Sequence, residues 1–236
     1  MTHATHETEV SARFNQLHER FKDTLRDDDY RLRGLLNWLG DLEGLRILDV
    51  GSGKGRFSRA LRKRGASVVG IDISRSMLVQ AEGLDRILGS ARRLPFASGL
   101  FDCVIAIEVF EHLADSAVDT TLRELRRVLR PNGRLAIVDK NAGSLNTPRP
   151  WLPNLFVKWI DERRGLWMYP SKGPVREQWF WPNLLRWRMR RIFEDVRVFH
   201  LLSPNEARHR IFRIFPRTRH MVLWAAQASG GPRHGS

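Results

Sequence analysis

Two groups of residues in this 236-residue chain have the types and spacing to do chemistry. The first is Gly51-Ser52-Gly53-Lys54-Gly55, which follows the apolar stretch Ile47-Leu48-Asp49-Val50 and precedes a helix-like stretch from Arg56. Glycines let the chain turn sharply and leave bare main chain for a ligand to approach. Asp72 closes a second apolar stretch 21 residues after Gly51. That separation suits a carboxylate accepting hydrogen bonds from ribose hydroxyls. The spacing is G-x-G-x-G rather than G-x-G-x-x-G, which weakens a dinucleotide reading but keeps a nucleotide-bearing cofactor in view. The second group is Glu108, Glu111 and His112, just past the apolar run 101–107. An imidazole titrates near neutrality, so His112 is a candidate general base with Glu111 beside it. The plainer alternative is a solvated Glu111–His112 pair at a helix start.

These residues need elements to hold them. Helical spacing of Phe14, Leu17, Phe21 and Leu25 predicts a helix over 9–25, and Leu32, Leu35, Leu36 and Leu39 predict another over 30–39. Residues 1–7 are polar and expected to fray. Strands are expected at 47–50, 67–71, 86–88, 101–107 and 134–138, with helices at 56–64, after Ser74, and at 120–129. Pro131-Asn132-Gly133 signals a turn. Strand alternating with helix argues for a doubly wound parallel sheet, with ligands at the carboxyl ends of its strands. Asp49, Asp72, Glu108 and Asp139 then face one crevice. Beyond it the rhythm fails: 142–180 mixes five prolines with aromatic residues and reads as an excursion or lid with a short helix near 152–160. A helix over 181–193, late strands at 196–201 and 220–226, a basic connection at 203–218 and a disordered tail at 229–236 complete the chain.

Composition narrows the class. Cys103 is the sole cysteine and sits in an apolar run, which excludes a disulfide scaffold and suits a small core residue. No apolar run approaches a membrane span, and Met1 to Val10 lacks an apolar signal core, so the expected location is cytoplasmic. The net charge of +14 is concentrated: residues from Asn141 on carry 17 Lys+Arg against 6 Asp+Glu, and the first 140 carry 23 against 20. Seven of the eight tryptophans also follow residue 140, so partners are sought in that half.

The ordered motifs resemble a known family. Ile47 to Gly55 looks like the first motif of class I S-adenosylmethionine-dependent methyltransferases, and Gly70-Ile71-Asp72-Ile73-Ser74 like their second-strand motif. The segments 91–96, 101–104, 108–113 and 124–135 complete the series over about 46–140, closest to the small-molecule and quinone-type methyltransferases. The resemblance implies a Rossmann-like α/β sheet of seven strands, the last antiparallel, with helices on both faces and an aromatic lid. It implies one methyltransferase domain: N-terminal helices (1–45), cofactor-binding core (46–140), lid or insertion (142–180), C-terminal helix and strands (181–228) and tail. S-adenosylmethionine is the implied cofactor. Gly51, Ser52, Gly53 and Gly55 would pack against its methionine part, Asp72 would bind the ribose and Ile73 would flank the adenine. Ser90-Ala91 stands where the family often has Asp-Ala, so Ser90 is a departure. Glu108 and Val109 would line the transfer site. Asp49 either touches ligand or holds the glycine loop through backbone N–H groups. Leu94, Pro95 and Phe96 read as packing. Glu108, Glu111 and His112 also resemble a trio that ligates a divalent ion in quinone-pathway O-methyltransferases, although no metal is expected here.

The expected function is methyl transfer to a hydrophobic or lipid-linked small molecule. Three readings stand for the basic, aromatic half. The first is a packed lid whose tryptophans form a satellite core. The second is a face for an anionic membrane, built from Trp151, Leu152, Leu155, Phe156, Trp159 and Ile160 and flanked by Lys158, Arg163 and Arg164. The third is a nucleic acid surface of Arg186, Arg188, Arg190, Arg191, Arg208, Arg210, Arg213, Arg217 and Arg219, which would make an RNA methyltransferase. A non-enzymatic membrane- or RNA-associated scaffold of the same fold is the remaining alternative.

Overall fold

The computed structural model of the protein describes residues 3–169, 173 and 175–230. Among these, seven strands form one sheet: β1 (Arg46–Val50), β2 (Ser67–Asp72), β3 (Asp85–Leu88), β4 (Phe101–Ile107), β5 (Leu129–Lys140), β6 (Glu194–Leu201) and β7 (Met221–Gln227). The strand order is β3-β2-β1-β4-β5-β7-β6. Strands β1 to β5 pair in parallel, and β7 runs antiparallel to both β5 and β6. The order reverses between β1 and β4, so their carboxyl ends open a crevice there.

Eight α-helices accompany the sheet among the described residues: α1 (His3–Leu17), α2 (Tyr30–Leu39), α3 (Arg56–Arg62), α4 (Arg75–Val79), α5 (Asp115–Val128), α6 (Asn154–Arg163), α7 (Pro182–Arg190) and α8 (Arg210–Ile214). Strands buried on both faces read as continuous apolar runs, which is why β1 and β4 are plain in the sequence. One core joins Leu48, Val104 and Ile137 to Leu122 and Leu125 of α5 and Leu185 and Met189 of α7. The opposite core joins Ile47, Cys103 and Ile105 to Leu32, Leu35 and Leu39 of α2 and to Phe57 and Leu61 of α3. Burial pushes the Cys103 thiol up to about 11, as suits a packing residue. Helix α2 begins under the Asp29 carboxylate, which accepts from the N–H groups of Arg31 and Leu32, and α4 begins under the Ser74 hydroxyl.

Several boundaries differ from the sequence expectations. Helix α1 starts at His3, so 5–7 are helical rather than frayed, and it ends at Leu17. Phe21 leaves the helix through a short 3₁₀ turn, yet its ring still meets Phe14 at 5.3 Å. Helix α5 begins five residues before the expected start because Ala117 and Val118 extend its buried face. The expected turn at 131–133 lies within β5 as an irregularity, with Asn132 at φ +63°. The basic connection at 203–218 contains α8 and two 3₁₀ turns. The expected tail falls outside the described residues except for 229–230, and there Ser229 is buried and held by Arg126. Pro170 and Pro174 also lie outside the described residues.

The tryptophans do not make a single satellite core. Trp224 belongs to the main core, Trp167 and Trp179 stand over the end of β5, and Trp151, Trp159, Trp181 and Trp187 are exposed. Lys158 does not flank the exposed face of α6, because it is buried in an ion pair with Glu162 one turn on. Leu94 and Phe96 pack as expected, Phe96 edge-on to Phe101 at 5.0 Å.

Candidate active site

The loop after β1 is built so that only glycine fits where the sequence has it. Gly51, Gly53 and Gly55 take φ values of +68°, +53° and +76°. A side chain on Gly51 would overlap Val109, and one on Gly55 would overlap Leu84. At Gly53 the nearest atom is the Met77 methyl at 3.8 Å, so that face of the main chain is open. Asp72, at the tip of β2, fixes the loop: its carboxylate accepts from Gly53 N at 2.8 Å and from Ser74 N at 2.8 Å. Burial pushes its pKa up against those two bonds. Asp49 holds no loop N–H group. It accepts from the Ser58 hydroxyl of α3 at 2.6 Å, and burial pushes it up to about 7.

Glu108 follows β4 in a left-handed conformation, φ +57°, uncommon for a residue with a side chain. The turn directs its carboxylate to Arg31 of α2 at 3.1 Å and Arg56 of α3 at 2.8 Å. Glu111 is fully buried rather than solvated, which overturns the surface-pair alternative. Burial alone would raise its pKa, but Lys140 at 2.9 Å and His112 at 3.3 Å hold it lowered. Asp139, beside it, accepts from Glu111 N and is pushed well up by burial and by the Glu111 charge. A carboxylate can only accept, so His112 carries its proton on Nε2 toward Glu111. Nδ1 then keeps the lone pair, which accepts the Tyr169 hydroxyl at 3.0 Å. Glu108 and Glu111 therefore spend their charge on cations, and the described residues contain no metal-ligating cluster of three.

One cavity of about 440 Å³ gathers these groups. Asp49, Gly51, Ser52, Gly53, Asp72, Ile73, Ala91, Glu108, Val109, Glu111 and His112 line it. Gly55, Ser90 and Asp139 do not: Gly55 serves the turn into α3, the Ser90 hydroxyl donates to Glu7 at 2.6 Å, and Asp139, expected to face the crevice, is fully buried and accepts from Glu111 N. The remaining wall went unread in the sequence. Helix α1 contributes Glu7, Val10 and Phe14, and the Trp-rich segment contributes Leu166, Trp167, Met168 and Glu177. Lys140, one residue past a strand end already singled out, was within reach of the strand-end rule. Tyr169 and Glu177 sit where no periodicity marks them.

Three buried polar atoms on this wall have no partner: Ser52 Oγ, Arg92 Nε and Glu111 Oε2. Bare glycine main chain at one end and the Asp72 carboxylate next to it fit an amino-acid-bearing nucleoside.

Part of the chain is similar to known methyltransferases. A family model described as "Methyltransferase domain" matches residues 48–137. The chain is 46% identical over 107 residues to Methyltransferase GfsG of Streptomyces halstedii, covering 41% of this chain and 38% of that protein. It is 31% identical over 153 residues to the ubiquinone/menaquinone biosynthesis C-methyltransferase UbiE of Cereibacter sphaeroides, covering 60% of this chain and 57% of that one. The chain thus spans less than two thirds of these relatives' own lengths. The Haemonchus contortus phosphoethanolamine N-methyltransferase 1, solved with phosphoethanolamine and S-adenosylhomocysteine, shares the fold at a TM-score of 0.73 and 16% identity over all of this chain and 52% of that one. Residues 48–137 thus match a methyltransferase domain, and the chain shares its fold with solved S-adenosylmethionine-dependent methyltransferases.

Proposed function

We propose that the protein transfers a methyl group from S-adenosylmethionine to a hydrophobic small molecule. The observation that carries this is a cavity in which a glycine loop and the Asp72 carboxylate meet an apolar chamber. In this reading Gly51, Ser52 and Gly53 receive the methionine end of the cofactor and Asp72 takes its ribose hydroxyls. The cofactor supplies an already activated methyl group on its sulfonium. What remains for the protein is to hold the acceptor in line and to take a proton, and positioning of that kind contributes roughly 7–11 kcal/mol. Phe14, Phe21, Leu113, Leu166 and Met168 give the acceptor chamber apolar walls. His112 Nδ1 takes the proton once the acceptor displaces the Tyr169 hydroxyl that donates to it, and Glu111 on Nε2–H steadies the imidazolium that forms. Relatives named for ubiquinone and menaquinone biosynthesis support a hydrophobic or lipid-linked acceptor. The nucleic acid reading loses support, since Arg186, Arg188 and Arg219 are spent on contacts within the fold.

Isothermal calorimetry tests the donor site. S-adenosylhomocysteine should bind the wild type and bind Asp72→Ala at least tenfold more weakly. His112→Gln should keep that affinity and lose turnover. Absence of binding to the wild type would overturn the proposal. With labelled S-adenosylmethionine and a fractionated extract, label belongs in the solvent-extractable fraction, and label in RNA would replace the acceptor assignment.

A further inference from the structure

Helix α1 crosses the cofactor end of the cavity with a polar stripe. Glu7, Ser11 and Asn15 recur at i, i+4 and i+8, which sets them on one face. The lower two bind the loop that follows β2: Ser11 donates to the Ile73 carbonyl at 2.8 Å, and Asn15 Oδ1 accepts from Ser74 Oγ at 2.8 Å and Ser76 N at 3.0 Å. The third, Glu7, reaches the loop that follows β3. There it accepts from the Ser90 hydroxyl at 2.6 Å and lies 3.4 Å from Arg92.

This inference rests on the donor reading above. A nucleoside whose ribose meets Asp72 and whose amino-acid end meets the glycine loop has one direction left for its base: from β2 toward β3. Ile73, Met77, Gly89 and Ala91 line the cavity there, an apolar slot suited to a purine. An exocyclic amino group at the slot's edge is a donor that needs an acceptor. The carboxylates elsewhere on the wall are committed: Asp49 to Ser58, Glu108 to two arginines, Glu111 and Glu177 to Lys140. Glu7 is the carboxylate that stands on the β3 side, and a carboxylate accepts about four hydrogen bonds, so its bonds to Ser90 and Arg92 leave capacity.

We propose that Glu7 of α1, oriented by Ser90, accepts the exocyclic amino group of the adenine base. The strap helix, rather than the sheet alone, then selects the base of the methyl donor.

The test compares two ligands by calorimetry: S-adenosylhomocysteine and its analogue with hydrogen in place of the 6-amino group. The wild type should favour the amino form by about tenfold, the scale of one charge-assisted hydrogen bond. Glu7→Met, close in length but without an acceptor, should bind both alike. Ser90→Asp in the Glu7→Met background returns a carboxylate to the slot and should restore the preference. An undiminished preference in Glu7→Met overturns the assignment while leaving the donor site intact. Failure of the wild type to bind either ligand overturns the donor reading on which it rests.

Discussion

Lys140 lies 2.9 Å from Glu111 Oε1 and 2.5 Å from Glu177 Oε1, with the rings of Trp167 and Trp179 each about 6.0 Å away. The two indole N–H groups donate to Glu177, so Glu111 Oε2 is the cluster's unpaired atom. Burial would lower the Lys140 pKa, but the two carboxylates raise it. Glu111 is lowered, so its stabilising contribution is present above the unfolded value of about 4.3 and lost as pH falls through the folded one. Lys140 is raised, so its contribution persists through neutrality and is lost only in strong base. Removing the ammonium strands two buried carboxylates. Lys140→Met should cost about 3–5 kcal/mol in urea unfolding. Adding Glu177→Gln should return part of that loss, because the pair is coupled. A loss below about 1 kcal/mol would mean that water, not Lys140, compensates the acids.

At the scale of elements, the glycine loop separates a packing requirement from a ligand requirement. Gly51 faces Val109 and Gly53 faces open cavity, though both have positive φ. Gly51→Ala should therefore cost about 2–4 kcal/mol of stability, from strain and overpacking together, and Val109→Ala should relieve part of it. Gly53→Ala should cost about 1–2 kcal/mol of stability yet strongly weaken S-adenosylhomocysteine binding. Retained binding in Gly53→Ala would remove the ligand from that face. The same contrast explains what the sequence could convey. The loop and β1, β2 and β4 were legible because each is local: an apolar run, a glycine spacing, an acid at a strand tip. Glu7, Tyr169, Glu177 and Arg31 were not, because each acts on a residue far off in the chain, as Tyr169 does on His112. Helix ends were misread where tertiary packing overrode periodicity, as at Phe21, which continues the apolar spacing of α1 but reaches Phe14 from beyond the helix end.

At the scale of the whole molecule, the chain after β5 exposes several large apolar side chains. Trp151 and Leu166 are 74% and 72% exposed, and Phe156 and Trp159 of α6 are each nearly half exposed. Phe156 and Trp159 stack at 5.9 Å, and Arg163 lies over the Trp159 ring at 4.0 Å. Leu166 is both exposed and part of the cavity wall. No helix among the described residues is long and apolar enough to cross a membrane, so contact with a bilayer would be from one side. Aromatic side chains with arginines at the rim suit an anionic interface, where each basic residue adds about 1 kcal/mol, and the chain carries a net +14. We propose that α6 rests on an anionic membrane from which a lipid-linked acceptor enters past Leu166. In flotation assays the protein should rise with vesicles containing phosphatidylglycerol and remain below with purely zwitterionic ones, and high salt should release it. Phe156→Ser with Trp159→Ser should cut vesicle binding at least tenfold while leaving S-adenosylhomocysteine affinity unchanged, because neither residue lines the cavity. If the double variant floats like the wild type, α6 is not the contact. If the wild type ignores vesicles and instead shifts RNA on a gel, the basic half serves nucleic acid and the chamber must admit a base.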